Sequence, residues 1–196
     1  DGIGAVLRQL GRYAESIEQT GYGLALARRT LNPQAEATSL VNIAVAQIAA
    51  GQFQAAAQQL ELSAQIDRHF PRWPYRVYRY VNQGVLALLW RSPDNAVQPF
   101  ERGLELATAV NLWPIAANCC AGLGLCALRN GNLPELKKRS ECLSRVVEGR
   151  RKTFADRWMV EAALEWNEIL NAGKGRNSLL ELDTTCRELF RRDIDH

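Results

Sequence analysis

Few side chains in this sequence are spaced to do chemistry. Its histidines, His69 and His196, have no partner at metal-site spacing. Its five cysteines fall at 119, 120, 126, 142 and 186, with no Cys-x-x-Cys among them. Cys119 and Cys126 are seven apart and share a helix face, but two thiols without imidazole or carboxylate company read as core. The run Gly122-Leu-Gly-Leu-Cys-Ala127 spells the dinucleotide fingerprint G-x-G-x-x-A. No strand pattern precedes it, so the spelling carries no phosphate-binding turn. No acid, base or nucleophile stands in a catalytic grouping. The expectation is a chain that is not an enzyme and uses no metal and no cofactor.

One segment is richer. Arg68-His-Phe-Pro-Arg72-Trp73-Pro-Tyr75-Arg76-Val-Tyr78-Arg79-Tyr80 interleaves arginine with aromatics. Arg72, Arg76 and Arg79 recur at helical spacing. With Trp73 and Tyr75 they make a face that could stack bases and neutralise phosphates, or bind an acidic peptide. The competing reading packs Trp73 and Tyr80 between repeats and leaves the arginines solvated. Lys137-Lys-Arg139 with Arg150-Arg-Lys152 is a second basic area, read as ordinary surface.

Composition sets the limits. The chain has 196 residues, is 47% hydrophobic and carries a net charge of +3. That charge is too small to imply nucleic acid by itself, so nucleic acid is a secondary partner class. No run of 18 apolar residues occurs, and no membrane partner is expected. The cysteines lie within apolar helical patterns, which reads as reduced core thiols of a cytoplasmic protein. No signal peptide or lipidation motif is visible. The chain opens Asp1-Gly-Ile-Gly without an initiator Met, and Gly4 stands where later units have mid-helix. The expectation is one domain over 1–196, excised from a longer protein.

A repeat positions all of these residues. Gly11-Arg-Tyr13, Gly51-Gln-Phe53 and Gly131-Asn-Leu133 recur in a 40-residue register, with Arg91-Ser-Pro93 in the remaining slot. Seven residues before each stands a small residue, Gly4, Ala44, Gly84 and Gly124; five after stand Ser16, Ala56 and Ala96, with Leu136 breaking the column. A period of that length means stacked supersecondary units that bury a continuous core together. Apolar spacing within units is helical, as in Val41, Val45 and Ile48. Prolines 33, 74, 93, 114 and 134 mark helix starts, with Asn32 and Ser92 as N-caps. Helices are predicted near 2–10, 12–29, 33–50, 53–69, 74–90, 93–110, 114–130, 133–149, 153–172 and 177–191. Short connections make successive helices antiparallel, giving an all-α solenoid of about five helix pairs.

These columns resemble the tetratricopeptide repeat. That family has a small residue seven before a turn glycine, an aromatic two after it, and small residues at the crossing of its two helices. The match is close over roughly residues 2–150 and loose over 153–192. Its period of 40 exceeds the usual 34 and is similar to the long units of large bacterial regulators. The resemblance implies a right-handed solenoid whose first helices line a concave groove.

Carried over, the groove positions are Thr38, Val41, Val45 and Ile48 in the second unit and Tyr78, Val81, Val85 and Leu88 in the third. In the fourth they include Asn118 and Leu125. The stripe is apolar with Tyr78 and Asn118 on its rim. The Lys and Asn residues with which some family members clamp a peptide carboxylate are missing from the corresponding positions. The resemblance therefore implies a scaffold or regulatory module that binds a protein or peptide in an apolar groove. Whether the stripe is groove or buried core stays open at this point. So do two alternatives: a self-association module forming a homodimer through a terminal repeat, and nucleic-acid binding by the Arg/aromatic face.

Overall fold

Backbone chemistry at the helix ends organises the chain. The computed structural model describes residues 2–70 and 75–147. Over these the elements are α1 (Gly2–Gln9), α2 (Tyr13–Arg29), α3 (Pro33–Ala49), α4 (Phe53–Asp67), α5 (Arg76–Trp90), α6 (Pro93–Ala109), α7 (Trp113–Arg129) and α8 (Leu133–Val147). No strand occurs among the described residues. The helices expected at 153–172 and 177–191, and the turn around Gly173, lie outside them.

Both predicted N-caps form, and Asn132 adds a third. Asn32 Oδ1 accepts from the Ala35 N–H at 3.0 Å, and Pro33 opens α3 with no orphan donor to satisfy. Ser92 Oγ accepts from Asn95 N–H at 3.4 Å ahead of Pro93. Asn132 Oδ1 accepts from Glu135 N–H at 3.1 Å.

Helix ends share one device. At the end of α3, Gly51 N–H donates to Ile48 O at 3.0 Å and Gln52 N–H donates to Gln47 O at 2.8 Å, which is the paired bond of a Schellman cap. The capping residue must adopt a left-handed backbone, and Gly51 has φ 74°. The same pair of bonds closes α1, α2, α6 and α7 around Gly11, Leu31, Asn111 and Gly131. α4 and α5 end without this pair of bonds, and the α5 end is informative. Arg91 has φ −115°, so the α5–α6 turn needs no left-handed residue and no glycine stands there.

Each helix packs on its sequence neighbour, and α1 on α3, α3 on α5 and α5 on α7, so the pairs stack in chain order. Close approach relies on the small columns. Gly4, Ala44, Gly84 and Gly124 are buried, as are Ser16, Ala56, Ala96 and Leu136 opposite them. One buried cluster lies in α3, α4 and α5 around Leu60; a second spans α5 to α8 around Phe100. Tyr78 and Val85 pack against both, which makes the core continuous. No described helix is long and apolar enough to cross a membrane.

Candidate functional site

The first helix of each pair contributes a wall to a cleft of about 480 Å³. Apolar residues are forced there because α1, α3, α5 and α7 lie side by side and present the same register position to the inside. Thr38, Val41, Val45 and Ile48 of α3 line it, as do Tyr78, Val81 and Val85 of α5 and Asn118 of α7. Val41, Val81 and Ile48 form a buried floor, whereas Val45, Val85, Thr38 and Tyr78 are half-buried.

Two residues expected in the groove are not part of it. Leu88 and Leu125 belong to the buried cluster around α7, with 8% and 7% exposure. Leu88 lies one turn beyond Val85 and Leu125 two turns beyond Asn118, and both pack into the core there. Part of the stripe is thus cleft and part is core.

The cleft also holds residues that the groove register passed over. Asn42 and Asn82 line it one residue after Val41 and Val81. They are 40 residues apart, so the repeat itself marked them. Asn82 Nδ2 donates to Tyr78 O at 2.8 Å, leaving its Oδ1 as the available acceptor. Arg8 and Arg76 line the cleft too. Neither forms an ion pair with a carboxylate among the described residues.

The arginine face divides. Arg72 and Trp73 lie outside the described residues. Arg76 is half-buried at the cleft, and Tyr75 stacks on Tyr78 with ring centroids 5.9 Å apart. Arg79 is corrected from surface to interior. Its Nε donates to Asp67 Oδ2 at 2.6 Å, with side-chain exposures of 7% and 3%. Its Nη1 donates to Gln83 Oε1 at 3.0 Å. The spacing from Arg76 to Arg79 places both on one helical face, but one turn along, that face meets the end of α4. Among the described residues Asp67 Oδ1 has no hydrogen-bond partner, and it borders the cleft. In the second basic area Arg139 pairs with Glu135 at 2.6 Å and Glu101 at 2.9 Å, and Lys138 with Glu135 at 3.5 Å. Arg150 to Lys152 lie outside the described residues.

Among the other reactive groups, Cys119, Cys120 and Cys126 are buried free thiols and Cys142 is a half-buried one. Burial pushes the Cys119 and Cys126 thiols up to about 12, which removes them as nucleophiles. His69 is exposed just beyond α4. Among the described residues no three His, Cys, Asp or Glu side chains converge as metal ligands. Cys186 and His196 lie outside them.

The arrangement can hold a ligand: it has an apolar floor, side-chain amides from three successive first helices and two arginines. Compared with protein-family models and with curated proteins, the chain matches none.

Proposed function

We propose that this protein is an interaction module: a right-handed solenoid of tetratricopeptide-like pairs that receives a segment of a partner protein in its concave cleft. It would serve as a regulatory scaffold of the kind found within large bacterial regulators. The cleft carries this reading. Val41, Val45, Val81 and Val85 offer apolar surface to a partner's side chains, and Asn42 and Asn82 offer amides to an extended main chain. Arg8 and Arg76 pair with no carboxylate among the described residues and suit an acidic group on the ligand. A space of about 480 Å³ fits a few side chains rather than a folded domain. The occupant is a short segment with apolar side chains and an acidic residue.

The test is a peptide array of apolar sequences that differ only by Asp or Asn at one position, followed by titration of the selected peptides. Acidic members should be preferred. Val85→Asp and Arg76→Glu, checked for native helicity, should each weaken binding by roughly tenfold or more. Indifference to the acid, or wild-type affinity in both variants, would rule out the cleft.

A second reading, self-association, is favoured by α1. Ile3 and Val6 are 68% and 54% exposed, whereas Ile43 and Ala46, 40 residues on, are 6% and 0% exposed. In α3 that face is covered by the preceding pair. The corresponding face of α1 is exposed and apolar, the kind of surface on which a second copy would stack. Light scattering of wild type against Ile3→Asp/Val6→Asp distinguishes a dimer built on α1 from a monomer.

A further inference from the structure

Cys120 on α7 and Cys142 on α8 face each other across the last described turn. They are symmetric about Gly131, eleven residues to either side, so the antiparallel pair brings them to the same height. Their sulfurs are 2.9 Å apart, closer than unbonded sulfurs normally rest. Closing a bond needs less than about 1 Å of further approach. Cys120 is 1% exposed, whereas Cys142 is half-buried and within reach of a small oxidant.

We propose that Cys120 and Cys142 are a peroxide-oxidisable dithiol, with Cys142 as the attacking sulfur and Cys120 as the resolving one. The two thiols divide the work by environment. Either sulfur could donate in this contact; with the buried Cys120 thiol as donor, it lowers the pKa of Cys142 to about 6. Arg145, Arg139 and Lys138 act in the same direction, against the burial that raises it. The same contact, together with burial, pushes Cys120 up and keeps its proton in place. Arg139 also pairs with Glu135 and Glu101, and Lys138 with Glu135, so the cations are held beside the sulfur by carboxylates on α6 and α8. Low pKa, partial exposure and an adjacent resolving thiol are the combination that marks an oxidation-sensitive cysteine.

The step balances. The Cys142 thiolate attacks one oxygen of hydrogen peroxide, the O–O bond breaks, and hydroxide leaves to give a sulfenic acid on Cys142. Cys120 sulfur then attacks that sulfur, the S–O bond breaks, and the departing hydroxide takes the Cys120 proton as water. Two thiols are oxidised to one disulfide while one peroxide is reduced to two waters. The product staples α7 to α8.

The test is hydrogen peroxide treatment of the full chain, alkylation of remaining thiols, and peptide mapping by mass spectrometry without reduction. The expected product is a Cys120–Cys142 cross-linked peptide, two hydrogens lighter than the free pair and released by dithiothreitol. In Cys120→Ser, dimedone should trap a sulfenic acid on Cys142. The native map needs no variant, so a misfolded mutant leaves it intact. A bridge from Cys142 to Cys186, bridging through Cys119 or Cys126, or oxidation of Cys142 to sulfinic acid with Cys120 still free would each overturn the assignment.

Discussion

The ring of Phe100 occupies the space that a side chain at Gly84 would need. A Cβ built on Gly84 would lie 2.7 Å from the ring, and one on Gly122 would lie 2.5 Å from its Cζ. Phe100, from α6, is thus clamped between glycines of α5 and α7 and is only 2% exposed. In the preceding unit the same contact pairs a larger residue with a smaller one, Ala44 with Leu60. Between the two units, volume added on one side of the crossing is matched by volume removed on the other.

Gly84→Ala should therefore destabilise the protein, although alanine is the better helix former. Overpacking costs about 1–3 kcal/mol, against a propensity gain of up to about 1 kcal/mol. Gly84→Ala/Phe100→Leu rebuilds the Ala44–Leu60 arrangement. It should be less destabilised than the sum of its single variants in urea unfolding. Strict additivity would mean that the two side chains are not coupled.

Arg79 and Asp67 should behave as a buried pair. Arg79→Met strands a carboxylate in the interior and should cost about 3–5 kcal/mol. Arg79→Met/Asp67→Leu removes both charges and should recover most of that loss. A salt-sensitive, surface-like effect below about 1 kcal/mol for Arg79→Met would place the pair in solvent instead.

Leu31 is a left-handed residue without the usual chemistry for it, at φ 50° and 87% exposed. Leu31→Asn should stabilise by about 0.5–1 kcal/mol, because no burial is lost and the backbone strain falls. Asn111, at φ 57° in the equivalent turn, supplies the reverse experiment. Asn111→Leu should lose a similar amount. Thermal midpoints that move the other way would contradict the cap assignment.

Cys142 should alkylate early in a pH titration. The thiolate is the nucleophile, so a pKa lowered to about 6 makes its iodoacetamide rate rise through about pH 6 and level off above it. Cys119 and Cys126, near 12, should stay unreactive throughout the neutral range. If the Cys120–Cys142 bridge forms, it spans 22 residues and should stabilise the fold by about 3 kcal/mol. Melting of oxidised and reduced protein measures that difference.

The sequence by itself determined where most helices from α1 to α8 begin and end, although α5 starts at Arg76 rather than at Pro74. Asn32 and Ser92 cap the next turn, Pro33 and Pro93 pre-set its first residue, and Gly51 and Gly131 permit a left-handed backbone. Each acts over four or five residues, so one chain suffices to read it. The repeat register likewise brought Thr38, Val41, Val45, Ile48, Tyr78, Val81, Val85 and Asn118 to one cleft, and it also marked Asn42 and Asn82. What it could not decide was which end of a helical face stays open. Leu88 and Leu125 share the stripe with Val85 but are covered by neighbouring helices. Arg79 shares a face with Arg76 but meets Asp67 from another pair, and Cys142 meets Cys120 only when α8 folds back along α7. Burial at these positions depends on helix crossings between units, and only the tertiary structure sets those.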